Sequence, residues 1–146
     1  MSMFTFARTI HVYETDLMGI VHHSNYLRFC EEARVAWCKA FVAHEKNALD
    51  GASDFEHQNI FDLTVVETRL RHKAPLRYRD QVRIEVQVQI SGALLCFQYK
   101  ILNDTNICAI AETTHCSVNE KLKPKRLALK YIDAVKKDTP WTETWL

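Results

Sequence analysis

The chemistry-bearing residues of this chain concentrate in the run Tyr13-Glu14-Thr15-Asp16-Leu17-Met18-Gly19-Ile20-Val21-His22-His23-Ser24-Asn25-Tyr26-Leu27-Arg28-Phe29. One carboxylate, Asp16, stands a few residues ahead of a polar cluster that opens a strongly amphipathic helix. A helix start presents backbone N–H groups without intrahelical acceptors and the positive end of the macrodipole, and both stabilise a developing oxyanion. A carboxylate facing such a terminus has what hydrolysis of an activated acyl group requires: a nucleophile or general base beside an electrophilic cradle. Asp16 equally suits a turn after a strand, where it would cap a local N–H; spacing leaves both readings open. Gly19 lets the chain turn tightly between Asp16 and the helix. Asn25 and Tyr26 can each serve structure alone, as an N-cap amide and a core aromatic, with Asn25 also placed to orient Asp16. The pair His22-His23 reads as a polar lead-in to the helix.

A second group, Arg69, Arg71, His72, Lys73, Arg77 and Arg79, clusters cations on both sides of Pro75. It is either a solvated strand end or a docking patch for phosphates, which Arg and Lys suit; Lys123, Lys125 and Arg126 form a second such patch. Seven histidines are scattered without HExxH or Cys/His finger spacing, and no Gly-rich phosphate loop is present. Five cysteines is an odd count without CxxC pairing, which suits free thiols in a reducing compartment better than a disulfide framework.

Periodicity supplies the elements that must position these groups. Residues 4–13 alternate as a first strand. From Ser24 or Asn25 to about Glu45 the period is helical, with Tyr26, Leu27, Phe29, Cys30, Ala33, Ala36, Trp37, Ala40 and Phe41 on one side. Arg28, Glu31, Glu32 and Lys39 share the other side, with Val35 the apolar exception. So wide an apolar face predicts a helix sunk into a concave surface. Asn47 to Asn59 reads mostly as loop. Strands follow at 62–74, stopped by Pro75, at 81–91, at Leu94–Leu102 and at Ile107–Val118, joined by turns at Ser91-Gly92-Ala93 and at 103–106. In the second of these Val82, Ile84, Val86, Val88 and Ile90 are expected inward and Arg83, Glu85, Gln87 and Gln89 outward. One strand, a long helix and four strands joined by hairpins make an α+β arrangement, an antiparallel sheet with one buried helix. Residues 121–146 read as a tail of the same domain, with a short helix at Leu127–Val135.

The chain has 146 residues, enough for one domain with a sizeable core; 47% are apolar and 25% charged. A net charge of +1 argues against a dedicated nucleic-acid binder. No apolar run is long enough to cross a bilayer, and the first residues lack a signal-peptide core, so a cytoplasmic protein without membrane insertion is expected.

The pattern Tyr13-x-Thr15-Asp16-x-x-Gly19-Ile20-Val21-x-His23-x-Asn25-Tyr26-Leu27-Arg28-Phe29-x-Glu31-x-Ala33-Arg34 resembles the signature of hotdog-fold acyl-CoA thioesterases of the 4-hydroxybenzoyl-CoA thioesterase and YbgC type. The block Ala74-Pro75-Leu76-Arg77-Tyr78-Arg79-Asp80 is similar to a second family segment, and the likeness spans roughly residues 5 to 120. It implies a sheet wrapped around its helix, with residues 1–120 as the hotdog domain and 121–146 packing on or extending it. By the same resemblance Asp16 is the catalytic carboxylate, a nucleophile or a general base. The backbone N–H of His23 is the oxyanion donor, with Gly19 and Asn25 beside it in the catalytic group. His22, Met18 and Tyr26 shape the acyl pocket, while Lys73, Arg77 and Arg79 dock coenzyme A. Met18 stands where small residues are usual, His22 where an aromatic is common, and Arg79 where the family favours glycine. The implied reaction splits an acyl-CoA into a carboxylic acid and free CoA without metal or cofactor, in a homodimer or homotetramer. An acyl carrier protein as substrate partner, or an idle acyl-CoA-binding hotdog, are the alternatives.

Overall fold

The computed structural model describes residues 3–48, 63–104 and 106–146. Its elements, in chain order, are β1 (Phe4–Thr9), a 3-10 turn (Val12–Glu14), α1 (Ser24–Ala48), β2 (Leu63–His72), β3 (Gln81–Ser91), β4 (Leu94–Leu102), β5 (Ile107–Ser117) and α2 (Leu129–Asp138). The five strands form one antiparallel sheet in the order β1-β3-β4-β5-β2. The sheet closes over the apolar side of α1, the hotdog arrangement.

Strand alternation decides which side chains meet α1. Phe4, Phe6 and Arg8 of β1 pair with Val86, Ile84 and Val82 of β3, and beyond them Phe97, Tyr99 and Ile101 of β4 continue the same face. Against it α1 buries Tyr26, Phe29, Cys30, Ala33, Trp37 and Phe41, with Trp37 edge-on to Phe97 at 5.3 Å between ring centres. Each such large apolar side chain contributes about 1.5–3 kcal/mol on leaving water.

Several boundaries differ from expectation for local reasons. β1 stops at Thr9 rather than running to residue 13, because the Ile10 N–H turns to the Asp80 carbonyl and residues 12–14 coil into the 3-10 turn. α1 continues to Ala48, so Asn47 belongs to it; the remainder of the expected 47–59 loop lies outside the described residues. The buried stripe of α1 is narrower than expected: Leu27 and Ala40 are exposed and Ala36 half-buried. β5 ends at Ser117, after which Val118 bridges to Pro124. The terminal helix begins two residues later than expected and runs to Asp138, burying Tyr131 and Val135.

Gln87 keeps the outward register expected in β3 but not an exposed place. It does face away from Val86 and Val88, yet it is fully buried. Past α2, where Thr139 Oγ1 accepts the Trp37 indole N–H at 3.1 Å, the tail covers this outer face. Gln87 Nε2 donates to Gln98 Oε1 at 2.9 Å and to the Glu143 carbonyl at 2.6 Å, and Trp145 N–H donates to the same Gln98 oxygen at 3.0 Å. Gln98 Nε2 passes the chain on to Glu112 at 2.8 Å, and Arg69 closes it at 3.2 Å. Two buried amides are tolerable because each is hydrogen-bonded.

The turn into β3 carries local strain. Arg77 N–H donates to Asp80 Oδ2 at 2.9 Å and Asp80 N–H returns to the Arg77 carbonyl at 3.0 Å, which forces Arg79 to a φ of +73°. That left-handed backbone costs a non-glycine residue about 1–2 kcal/mol. Arg79→Gly is therefore expected to stabilise the protein by about 1 kcal/mol, read as a higher urea midpoint at unchanged slope.

On the inner face His115 is buried, its Nε2 within 2.8 Å of Thr113 Oγ1, which in turn meets Tyr99 Oη at 2.7 Å. Burial, with the Arg34 charge nearby, pushes its pKa from the ordinary 6.5 down to about 4. A depressed histidine pKa means the unfolded chain takes the proton first, so this contribution to stability is intact above about pH 6.5 and is lost as pH falls toward 4. Between pH 6.5 and 5, above the range where most carboxylates titrate, folding stability should fall by on the order of 1–2 kcal/mol. In His115→Gln that slope should flatten, as measured by urea unfolding across the same window.

Candidate active site

The Asp16 segment is a tight turn closed on itself. Asp16 N–H donates to the Ile20 carbonyl at 2.8 Å and Gly19 N–H to the Asp16 carbonyl at 3.0 Å. Gly19 takes a φ of +76°, and open space surrounds the position of a Cβ there, so glycine is required by the backbone and not by crowding. Asp16 Oδ1 accepts the Met18 N–H at 2.8 Å and, more weakly, that of Ile20 at 3.4 Å. The carboxylate thus performs the capping that a turn aspartate offers, with Oδ2 accepting no bond among the described residues. The two roles are compatible: the turn holds one oxygen and leaves the other for chemistry.

The chain then crosses the mouth of the sheet. Val21 N–H donates to the Leu76 carbonyl at 2.8 Å and Ile20 bridges to Arg77, so the turn after Asp16 is tied to the segment after Pro75. At the start of α1 the capping acceptor is His22 and not Asn25: Ser24 N–H donates to His22 Nδ1 at 3.2 Å, and Ser24 Oγ lies 2.8 Å from the same nitrogen. Asn25 sits inside the first turn, its amide donating to the Glu14 carbonyl at 2.9 Å; it touches the base of the Asp16 turn and makes no bond to Asp16 itself. The His23 carbonyl accepts the Tyr26 N–H at 3.3 Å, while the His23 N–H has no acceptor among the described residues.

A cleft of about 410 Å³ joins these pieces. Asp16, Ile20, Val21, His22, His23 and Tyr26 line one side, and His72, Lys73, Ala74 and Pro75 the other. Tyr26 meets His72 edge-on at 4.7 Å, and burial raises the pKa of its hydroxyl. Lys73 and Ala74 N–H groups share the Cys108 carbonyl at 2.8 and 3.1 Å, which fixes the exit of β2 as the second wall.

Of the residues singled out in the sequence, the fold brings Asp16, His22, His23, Tyr26 and Lys73 to one cleft. Gly19 and Met18 shape the Asp16 turn without lining it, and Met18 is exposed. Arg77 and Arg79 lie exposed on the next turn, outside the lining. The basic cluster is also split by strand alternation. His72 and Lys73 reach the cleft, whereas Arg69 and Arg71 lie on the outer sheet face, Arg69 bound to Glu112. Lys123, Lys125 and Arg126 are exposed and away from it.

One feature was missed in the sequence: the Arg8–Glu14 ion pair, both oxygens of Glu14 lying 2.7 Å from Arg8 Nη2, with both side chains about nine-tenths buried. The signal for it was an arginine at the inward register of β1, after Phe4 and Phe6. Among the described residues one group has the donors for a cation, His44, Glu45 and Asp138, with ligand atoms within 4.8 Å of one another. It sits about 30 Å along α1 from the cleft, at 1.5 Å rise per residue. The thiols of Cys30 and Cys38 are pushed up to about 12 by burial, which removes them as nucleophiles. None of the described helices is long and apolar enough to cross a membrane.

Comparison with known proteins finds relatives of the same fold. YneP of Bacillus subtilis is 30% identical over 116 residues, covering 76% of this chain and 77% of that protein. The acyl-CoA thioesterase YbgC of Haemophilus influenzae is 26% identical over 124 residues, covering 83% and 85%. A solved structure from Aquifex aeolicus, 27% identical, covers 91% of this chain and 99% of that one with a TM-score of 0.74. The 1,4-dihydroxy-2-naphthoyl-CoA thioesterase of Synechocystis, 23% identical, shares the fold with a TM-score of 0.74 over 95% of this chain and all of its own. Residues 10–140 match the model of the thioesterase-like superfamily, and the chain belongs to that family.

Proposed function

We propose that this protein hydrolyses acyl-CoA thioesters in the cleft lined by the Asp16 turn and the start of α1. Thioester hydrolysis follows from the family; the assignment of residues is our own. The observation that carries it is the pairing, on one wall of the cleft, of a carboxylate oxygen and a helix-start N–H that have no bonding partner among the described residues.

Asp16 either attacks the thioester carbonyl, giving a mixed anhydride that water then opens, or takes a proton from water as it attacks. In both routes the carbonyl oxygen gains negative charge, which the His23 N–H and the α1 dipole stabilise; the CoA thiolate leaves and is protonated. His22 and Tyr26 on one side and His72 on the other give the cleft partly aromatic walls. The exposed apolar residues Val12, Tyr13, Leu17 and Met18 flank Asp16, and we read them as the face that a second copy of the chain covers in a homodimer. All five cysteines are free, which suits a reducing, cytoplasmic setting.

Asp16→Asn keeps the shape and the Oδ1 cap but removes the charge. It is expected to lower thiol release from acyl-CoA by at least about 100-fold with the melting temperature nearly unchanged. Near-wild-type turnover in the folded variant would leave Asp16 as a turn residue only. A panel of acyl-CoA and acyl carrier protein thioesters, assayed with the same thiol reagent, separates the two kinds of carrier.

Lys73 at the cleft and Arg77 and Arg79 on its exposed rim are the cations nearest the path of a nucleotide leaving the cleft. Replacing Arg77 and Arg79 together by Ser should raise KM for acyl-CoA about fivefold with little change in kcat, since such a contact is made equally in ground and transition states. A short pantetheine thioester without the nucleotide should be unaffected; equal losses on both substrates would assign these arginines to structure.

A further inference from the structure

The turn that carries Asp16 and the helix start that carries the His23 N–H meet at one residue, Glu14. Its carbonyl accepts the His22 N–H at 3.0 Å, one residue before the oxyanion donor, and the Asn25 side-chain amide at 2.9 Å. Its side chain, two residues before Asp16, is buried. There it accepts the Arg8 guanidinium at 2.7 Å on both oxygens and the His11 N–H at 2.8 Å on one of them. Arg8 is held in its turn: the guanidinium lies 4.1 Å over the Phe29 ring of α1 and bonds Glu32 of the same helix at 3.1 Å. Edge strand β1 and α1 as far as its third turn are thereby tied through Arg8 to the Glu14 carboxylate, while the Glu14 carbonyl holds the helix start.

Such an arrangement is expensive for stability alone. Removing a carboxylate and a guanidinium from water is costly, and a buried pair roughly breaks even against apolar residues of equal volume. What the pair supplies is position: a charge-assisted, two-oxygen contact has a narrow geometry. Catalysis by Asp16 with the His23 N–H depends on holding both within a fraction of an ångström of the same carbonyl.

We propose that Glu14, locked by Arg8, is the positioning residue that sets Asp16 against the oxyanion donor at the start of α1. It acts through Asp16 and the helix start and makes no contact with substrate. The proposal rests on the reading of Asp16 given above, and its test is arranged so that the two can fail separately.

Glu14→Gln preserves volume and the His11 contact while removing the charge that Arg8 grips. With the variant assayed well below its melting temperature and shown folded by circular dichroism, kcat should fall about 30-fold while KM stays within about twofold, a displacement of about 1 Å sufficing for such a loss. A merely structural residue would lower the melting temperature and leave the folded enzyme's kcat intact. Folded Glu14→Gln with kcat within twofold of wild type therefore overturns the proposal. Should Glu14→Gln not fold, Arg8→Lys keeps the charge but not the planar fork; the same loss of kcat at constant KM is expected, and a folded Arg8→Lys enzyme of wild-type kcat likewise overturns it. Asp16→Asn run alongside separates the cases. If it retains turnover, the Asp16 reading falls and Glu14 has nothing to position. If it is inactive while both clamp variants keep wild-type kcat, only the positioning role falls.

Discussion

Burial of one stripe of α1 beneath the curled sheet is the constraint on which the site depends. Tyr26, Phe29, Cys30, Ala33, Trp37 and Phe41 can face β3 and β4 in one rotational setting only, because a shift of one residue turns a helix by about 100°. Fixing the rotation fixes where the first turn begins and which way its unbonded N–H groups point. The placement of the helix start at the cleft is thus a by-product of core packing. The same packing sets its depth, since Tyr26 is both the first core residue of the helix and part of the cleft wall.

Buried polar groups mark the places where this packing is interrupted. On the inner face they include Arg8 with Glu14, and the run from His115 through Thr113 to Tyr99. On the outer face they are Gln87 and Gln98 under the C-terminal tail. A buried donor or acceptor left without a partner costs about 1–3 kcal/mol, so each of these runs has one narrow arrangement that satisfies it. Arg8 and Glu14 stand closest to the cleft; the outer amides hold the tail, and His115 lies within the core.

The cations around Pro75 show how a sheet sorts a sequence cluster. In the chain they are neighbours, but alternation along β2 sends Arg69 and Arg71 to one face and His72 to the other, and the turn at Arg77–Asp80 carries the remainder to the rim. Lys73 alone of the arginines and lysines in that group reaches the cleft wall. Linear charge density was therefore a poor guide to which cations stand at the cleft.

Much of the architecture was legible in the chain because it rests on local periodicity. The alternation of Val82, Ile84, Val86, Val88 and Ile90, the two tight hairpins, and the helical period from Ser24 onward each follow from side-chain spacing, and β3 and β4 have the expected bounds. Asp16, Gly19 and the polar lead-in to α1 were legible as well, since a turn followed by a helix start is written within a dozen residues. What needed the tertiary structure were contacts between residues far apart in sequence. Gln87 looked like a solvent residue because alternation cannot say that a tail 55 residues later will cover it. Leu27 looked like core because helical period cannot measure how much of a helix the sheet embraces. Glu14 looked like one more polar residue ahead of Asp16; only when β1 is laid beside α1, with Arg8 turned inward over Phe29, does its carboxylate become a buried ion-pair partner.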